Sequence, residues 1–188
     1  NSPQSRITGV QRTGLRGTQD LLPVVTANDA LGGDFLGRIN MDLREDKHWS
    51  YGAYGGFARH VEAAPYQLSA PVQADKTGAS IAAMKSEIGA FVGSKPMTEA
   101  EFQRTITGAT RSLAGDFETS GAVLAAMQAN DLYRRPDDYY ATITQRYRAM
   151  TRDELNGAIR SVIDPNRFIW VVIGDAKTVR PQLDTLGL

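Results

Sequence analysis

The sequence contains no cysteine, which excludes a disulfide framework, a thiolate nucleophile and a cysteine-type zinc knuckle, and leaves the redox compartment open. It has no net charge either, because Lys plus Arg and Asp plus Glu both total 21. There is thus no overall field to steer nucleic acid or an anionic membrane. No apolar run approaches the roughly 20 residues needed to span a bilayer. The longest, Phe168 to Ile173, has the length of a buried strand. Neither a transmembrane segment nor a nucleic-acid partner is expected.

Histidine is scarce. His48 and His60 are the only two, and neither stands at H-x-x-x-H, H-x-x-E-H or H-E-x-x-H spacing, the arrangements that gather imidazoles and a carboxylate around one zinc. Each reads more plainly as a surface or rim side chain. No nucleophile elbow, phosphate-binding loop or dinucleotide fingerprint is present. Asp137-Asp138 reads as a helix start, where negative charge complements the dipole, and Asp116 with Glu118 as the flank of a helix break. The chain by itself is expected to bind no metal and to be inactive.

What is there is ordinary globular material: 188 residues, 41% hydrophobic and 22% charged, enough for one core and one domain over residues 1–188. The start, Asn1-Ser2-Pro3-Gln4, has neither an initiator Met nor a charged-then-apolar signal and reads as a cut inside a longer chain.

Ser5 to Val10 suits a short edge strand. Thr18 to Leu31 suits a helix capped by Thr18, with Pro23 near its start and Gly32-Gly33 at its stop. A second helix is expected from Asp34 to Arg44, turning Phe35, Leu36, Ile39 and Leu43 to a core. Ser50 to Phe57 suits a thin, Gly-rich strand, and Tyr66 to Gln73 alternates as a half-buried strand antiparallel to it. Helix returns from Lys76 or Thr77 to Val92, with Asp75 as candidate cap. Capping boxes at Thr98/Glu101 and Thr151/Glu154 start helices to about Phe117 and Ile163. Between these, Ser120 to Tyr133 and Asp137 to Met150 are helical, broken at Arg135-Pro136. Arg167 to Ile173 is so apolar that it is placed in the centre of the sheet, and Val179 to Leu186 forms a last helix. The sum is an α+β fold, a mostly antiparallel β-sheet layered with α-helices.

The stretch that composition does not explain is Leu43-Arg44-Glu45-Asp46-Lys47-His48-Trp49-Ser50-Tyr51-Gly52, an Arg at a helix end seven positions before a Tyr that opens a Gly-rich strand. Taken alone, Arg44 would complement a helix C-terminus and Tyr51 would pack. Together with Leu31-Gly32-Gly33-Asp34-Phe35-Leu36-Gly37-Arg38-Ile39, however, it resembles the pitrilysin (inverzincin) type of zinc peptidase, insulinase-like and processing-peptidase-like. The match is to the C-terminal, non-zinc half. The Tyr66 to Val72 strand followed by Asp75-Lys76-Thr77, the Met97-Thr98-Glu99-Ala100-Glu101 helix start and the closing Val171-Val172-Ile173-Gly174-Asp175 fall in the same order.

The resemblance implies a processing-peptidase-like metallohydrolase domain that forms one wall of a chamber. Arg44 and Tyr51 would reach a peptide held at a zinc that a partner half carries, on the same polypeptide or a separate subunit. Arg44 offers a fixed fork of N–H donors and Tyr51 an O–H. It also implies a bacterial periplasmic or envelope location. The alternative is a catalytically inactive peptidase-like scaffold or assembly subunit. One departure stands out: His48-Trp49 occupies a place where a Gly-Leu type pair is common in the family, which makes the loop between Arg44 and Tyr51 bulkier.

Overall fold

The structure, a computed structural model, describes residues 2–113 and 115–187. Asn1, the first residue of the start expected to be a cut, lies outside them, as does residue 114 within the helix expected to reach Phe117. Four strands form one antiparallel sheet in the order β2-β3-β1-β4: β1 (Gln4–Gln11), β2 (Tyr54–Phe57), β3 (Tyr66–Gln73) and β4 (Ile169–Ile173). Burial alternates strictly along β1 and β3, so one face of the sheet lies on the core and the other is open.

The helices are α1 (Leu22–Asn28), α2 (Arg38–Asn40), α3 (Thr77–Val92), α4 (Glu99–Ser112), α5 (Ser120–Leu132), α6 (Tyr139–Ala149), α7 (Arg152–Val162) and α8 (Ala176–Asp184). Ile7, Leu68 and Val72 from the sheet meet Leu31, Ile39, Leu43, Ile81, Ile88, Leu155 and Ile159 in one buried cluster. The α+β fold class expected from the sequence is the one observed. Both capping boxes are present, with reciprocal side-chain and backbone bonds at Thr98/Glu101 and Thr151/Glu154. These starts are local and need no tertiary help to be legible.

The two apolar strands exchange the places expected of them. β1 is central, paired on both sides, and β4 is at the edge, paired with β1 alone. Ile169 and Ile173 are each 69% exposed, and Val171 joins them on the open face. The register places Thr8 opposite both Val171 and Ser69, and Ser69 opposite Tyr54, so these side chains form one row across that face. Hydrophobicity reports a preference for burial, not the partner that supplies it.

Three helix readings also change. α1 starts after Leu21 without a side-chain cap, so Thr18 is not its cap, and it widens into a π-helical turn, Asp29–Gly33. The second helix begins at Arg38 and widens over Met41–Asp46. Asp34 is extended and its carboxylate accepts the Leu36 N–H at 3.0 Å, a local bond that competes with helix. Phe35 and Leu36 are therefore exposed, not core. Asp75 lies in a 3-10 turn, Ala74–Lys76, and makes no cap bond to α3.

The π-helical turn presses against β2. The Asn28 amide donates to the Gly55 carbonyl at 2.8 Å and accepts the Tyr66 hydroxyl at 2.7 Å. A Cβ on Gly55 would stand 2.4 Å from both the Tyr66 hydroxyl and a Leu68 methyl, while Gly32 faces the Gly55 nitrogen. The glycines here serve close approach.

Candidate functional site

Arg44 and Tyr51 are carried by a loop that is fastened at both ends. Leu43, fully buried, anchors the π-helical stretch, and its carbonyl accepts the Trp49 N–H at 2.9 Å. The far side is tied to the end of β3. The Gln73 N–H donates to the Trp49 carbonyl at 2.9 Å, the Gln73 amide donates to the His48 carbonyl at 3.0 Å, and Ser50 bridges to Val72. The Ser50 hydroxyl donates to the Pro71 carbonyl at 2.6 Å and accepts the Gly52 N–H at 3.1 Å. This side-chain turn explains why Tyr51 is on a bend and not in the strand expected there: β2 begins only at Tyr54.

Tyr51 is 85% exposed, and its hydroxyl makes no hydrogen bond among the described residues. The Arg44 guanidinium lies 4.5 Å over the Phe35 ring, with Nε 3.3 Å from a Glu45 carboxylate oxygen. Among the described residues it makes no hydrogen bond to a helix carbonyl. The exposed ion pair is worth little, but the ring holds the guanidinium from below and leaves its outer N–H groups open. Phe35 is the residue that the sequence reading assigned to the core. Its actual use was signalled by its place in the Leu-Gly-Gly-x-Phe motif, nine positions before Arg44.

His48 lies between the pair. Its backbone is left-handed, φ 56°, and its Nδ1 is 3.0 Å from the Arg44 carbonyl oxygen. That oxygen can only accept, so in the neutral ring Nδ1 carries the proton and Nε2 is the acceptor. Gln4, Arg44, His48, Trp49, Tyr51 and Gln73 line a cavity of about 510 Å³. Gln4 and Gln73 are paired at the end of the open sheet face, so the cavity continues onto that face. Arg44 and Tyr51, paired by the sequence motif, lie in one cavity. Gln4 and Gln73, which no motif signals, join them there.

Among the described residues no three His, Asp or Glu side chains gather to hold a metal ion. His60 is in a separate turn, bridged to Ala63. The residues present do not fit a zinc ion. No helix among them is long and apolar enough to cross a membrane.

Comparison with known proteins bears on the family and the fold. A family model described as the peptidase M16 inactive domain matches residues 1–108. No curated protein matches the sequence. Among solved structures, the peptidase M16 inactive domain from Pseudomonas fluorescens is 20% identical, with TM-score 0.79 over 91% of this chain and 41% of that one. A zinc protease, so described, from Bordetella pertussis is 12% identical, with TM-score 0.72 over 92% and 93%. The periplasmic protease PqqL from Escherichia coli is 15% identical, with TM-score 0.69 over 92% and 19%. The chain thus spans about two-fifths of the Pseudomonas protein. Likeness at these identities concerns the fold.

Proposed function

The chain belongs to the peptidase M16 inactive-domain family, and on that premise we propose that it is the substrate-gripping half of a zinc-dependent metallopeptidase, one domain that forms a wall of the chamber in which peptides are hydrolysed. The zinc-bearing half, on the same polypeptide or on another subunit, is its partner and would supply the metal that activates water. This half supplies donors.

The observation that carries the reading is that exposed Tyr51 and half-buried Arg44 line one cavity with their outer donors unengaged among the described residues. A large aromatic side chain held out in solvent by a loop pinned at both ends has no packing role to explain it. The Arg44 fork can hold a peptide carbonyl without losing its proton. The Tyr51 hydroxyl can donate to the carbonyl oxygen as it gains negative charge. One such donor is typically worth about a hundredfold to a thousandfold in turnover. The open sheet face, entered past Gln4 and Gln73, gives an extended peptide a surface to lie along. A bacterial periplasm or envelope location accords with the fold shared with PqqL.

The test is substitution of either donor in the assembly of both halves, with cleavage and zinc content read separately. Unchanged cleavage would favour a peptidase-like scaffold instead.

A further inference from the structure

A second cavity, of about 470 Å³, lies between the Thr18–Asp20 loop, Arg59 and the turn from α5 into α6. Four arginines line it: Arg59, Arg134, Arg135 and Arg146. They share aromatic platforms. Arg59 and Arg135 lie 4.5 and 5.6 Å from the Tyr133 ring centroid, and Arg135 and Arg146 lie 4.4 and 5.4 Å from that of Tyr139. Two like charges on one ring repel each other, and half-burial weakens the screening that would make this harmless.

Within this cavity the charge is only partly balanced: Asp131 and Asp137 line a neighbouring cavity with Arg134 and Arg135 but form no ion pair with either among the described residues. Asp20 is the one carboxylate in the cavity wall, and it is committed to Arg146 at 2.5 Å. Asp137 and Asp138 follow Pro136 on the turn but do not line this cavity. Among the described residues Arg59, Arg134 and Arg135 make no ion pair. Among the described residues the Arg59 guanidinium donates only to the carbonyls of Gly17 and Gln19, and the Arg135 guanidinium only to the Tyr140 hydroxyl. The Arg135 Nε is buried with no hydrogen-bond partner among the described residues. Arg134 has a left-handed backbone, φ 53°, a conformation that costs a non-glycine residue energy. Burial, and then the nearness of Arg135, push the Arg59 pKa below its ordinary value.

We propose that this arginine-tyrosine cavity is an anion site that takes an oxyanion, either free phosphate or the carboxylate of a peptide. Such a ligand accepts several N–H bonds at once and removes the repulsion between Arg59 and Arg135. Planar guanidiniums held on rings are ordered before the anion arrives, so little freedom is lost on binding. The cavity shares no lining residue with the one that holds Arg44 and Tyr51.

The experiment is calorimetric titration of the chain at fixed ionic strength in chloride. One arm uses inorganic phosphate, and the other a short peptide with a free C-terminal carboxylate against its amide. Saturable binding of phosphate, of the acid peptide or of both is expected, and which one saturates identifies the source. Arg135→Gln and Arg134→Gln are each expected to weaken binding at least about tenfold, the usual scale for a lost charge-assisted bond. The Arg134 side chain makes no hydrogen bond or ion pair among the described residues, and its backbone N–H still donates to the Asp131 carbonyl at 3.1 Å in the variant, so Arg134→Gln keeps the fold and reads the site alone. Saturation by neither probe, or affinities unchanged in Arg134→Gln, would overturn the proposal.

Discussion

Arg38 meets Glu101 through two parallel bonds, Nε to Oε1 at 2.6 Å and Nη2 to Oε2 at 2.7 Å, and so fastens the helix that leads to Arg44 onto the start of α4. The same guanidinium donates to the carbonyls of Lys95 and Pro96 and lies 4.8 Å from the Phe91 ring centroid. Glu101 meanwhile closes the capping box with Thr98. The motif arginine is thus structural, and it holds the base on which the loop carrying Arg44 and Tyr51 is built.

Burial works to raise the Glu101 pKa, but the bonds from Arg38 and Thr98 outweigh it and hold it at about 2. Because this lies below the unfolded value, the contribution is complete above about pH 4.5 and is lost as pH falls through about 2. Denaturant unfolding between pH 5 and pH 2 should show stability falling by roughly 2–3 kcal/mol more in the wild type than in Glu101→Gln. Equal slopes would remove Glu101 from the acid response.

Asp29 has the opposite sign. Burial, and then the charge of Asp34, raise its pKa to about 7. Its contribution is therefore complete below about pH 4 and is lost as pH rises through about 7. The wild type should lose on the order of 2–4 kcal/mol between pH 4.5 and pH 8, and Asp29→Asn should be markedly flatter over that range. Parallel curves would contradict this.

His48 holds a left-handed backbone where glycine costs nothing sterically. His48→Gly is expected to keep or raise stability, by up to about 1 kcal/mol, while His48→Ala keeps the strain and falls below it. Thermal midpoints of the two variants decide the matter. Alanine equal to glycine would mean that the loop relaxes.

The edge position of β4 is tested by comparing two isoleucines. Ile173→Thr, on the open face, should change stability by no more than about 0.5 kcal/mol. Ile159→Ala, in a fully buried position, should cost about 2–5 kcal/mol. A large loss at Ile173 would mean that something covers that face.

Local signals were the legible part of the sequence. Thr98 with Glu101 and Thr151 with Glu154 fix helix starts by bonds within four residues, and the alternation from Tyr66 to Gln73 gives β3 to the residue. Order in the sheet was not legible, because Ile7 and Ile173 read alike until strand partners are known. Phe35 was misread for a related reason. An aromatic residue at core spacing looks the same whether it is buried or carries Arg44. The pair itself was found through ordered motifs, while the arginines around Tyr133 and Tyr139 are scattered in sequence from Arg59 to Arg146 and gather only in the fold.

The most direct test of the account is the rate of peptide cleavage by the assembly of both halves, with Arg44→Ala or Tyr51→Phe in this chain and zinc content measured alongside. A loss of at least about tenfold is expected in each variant, with zinc unchanged and the assembly intact. Wild-type cleavage by both variants would contradict it.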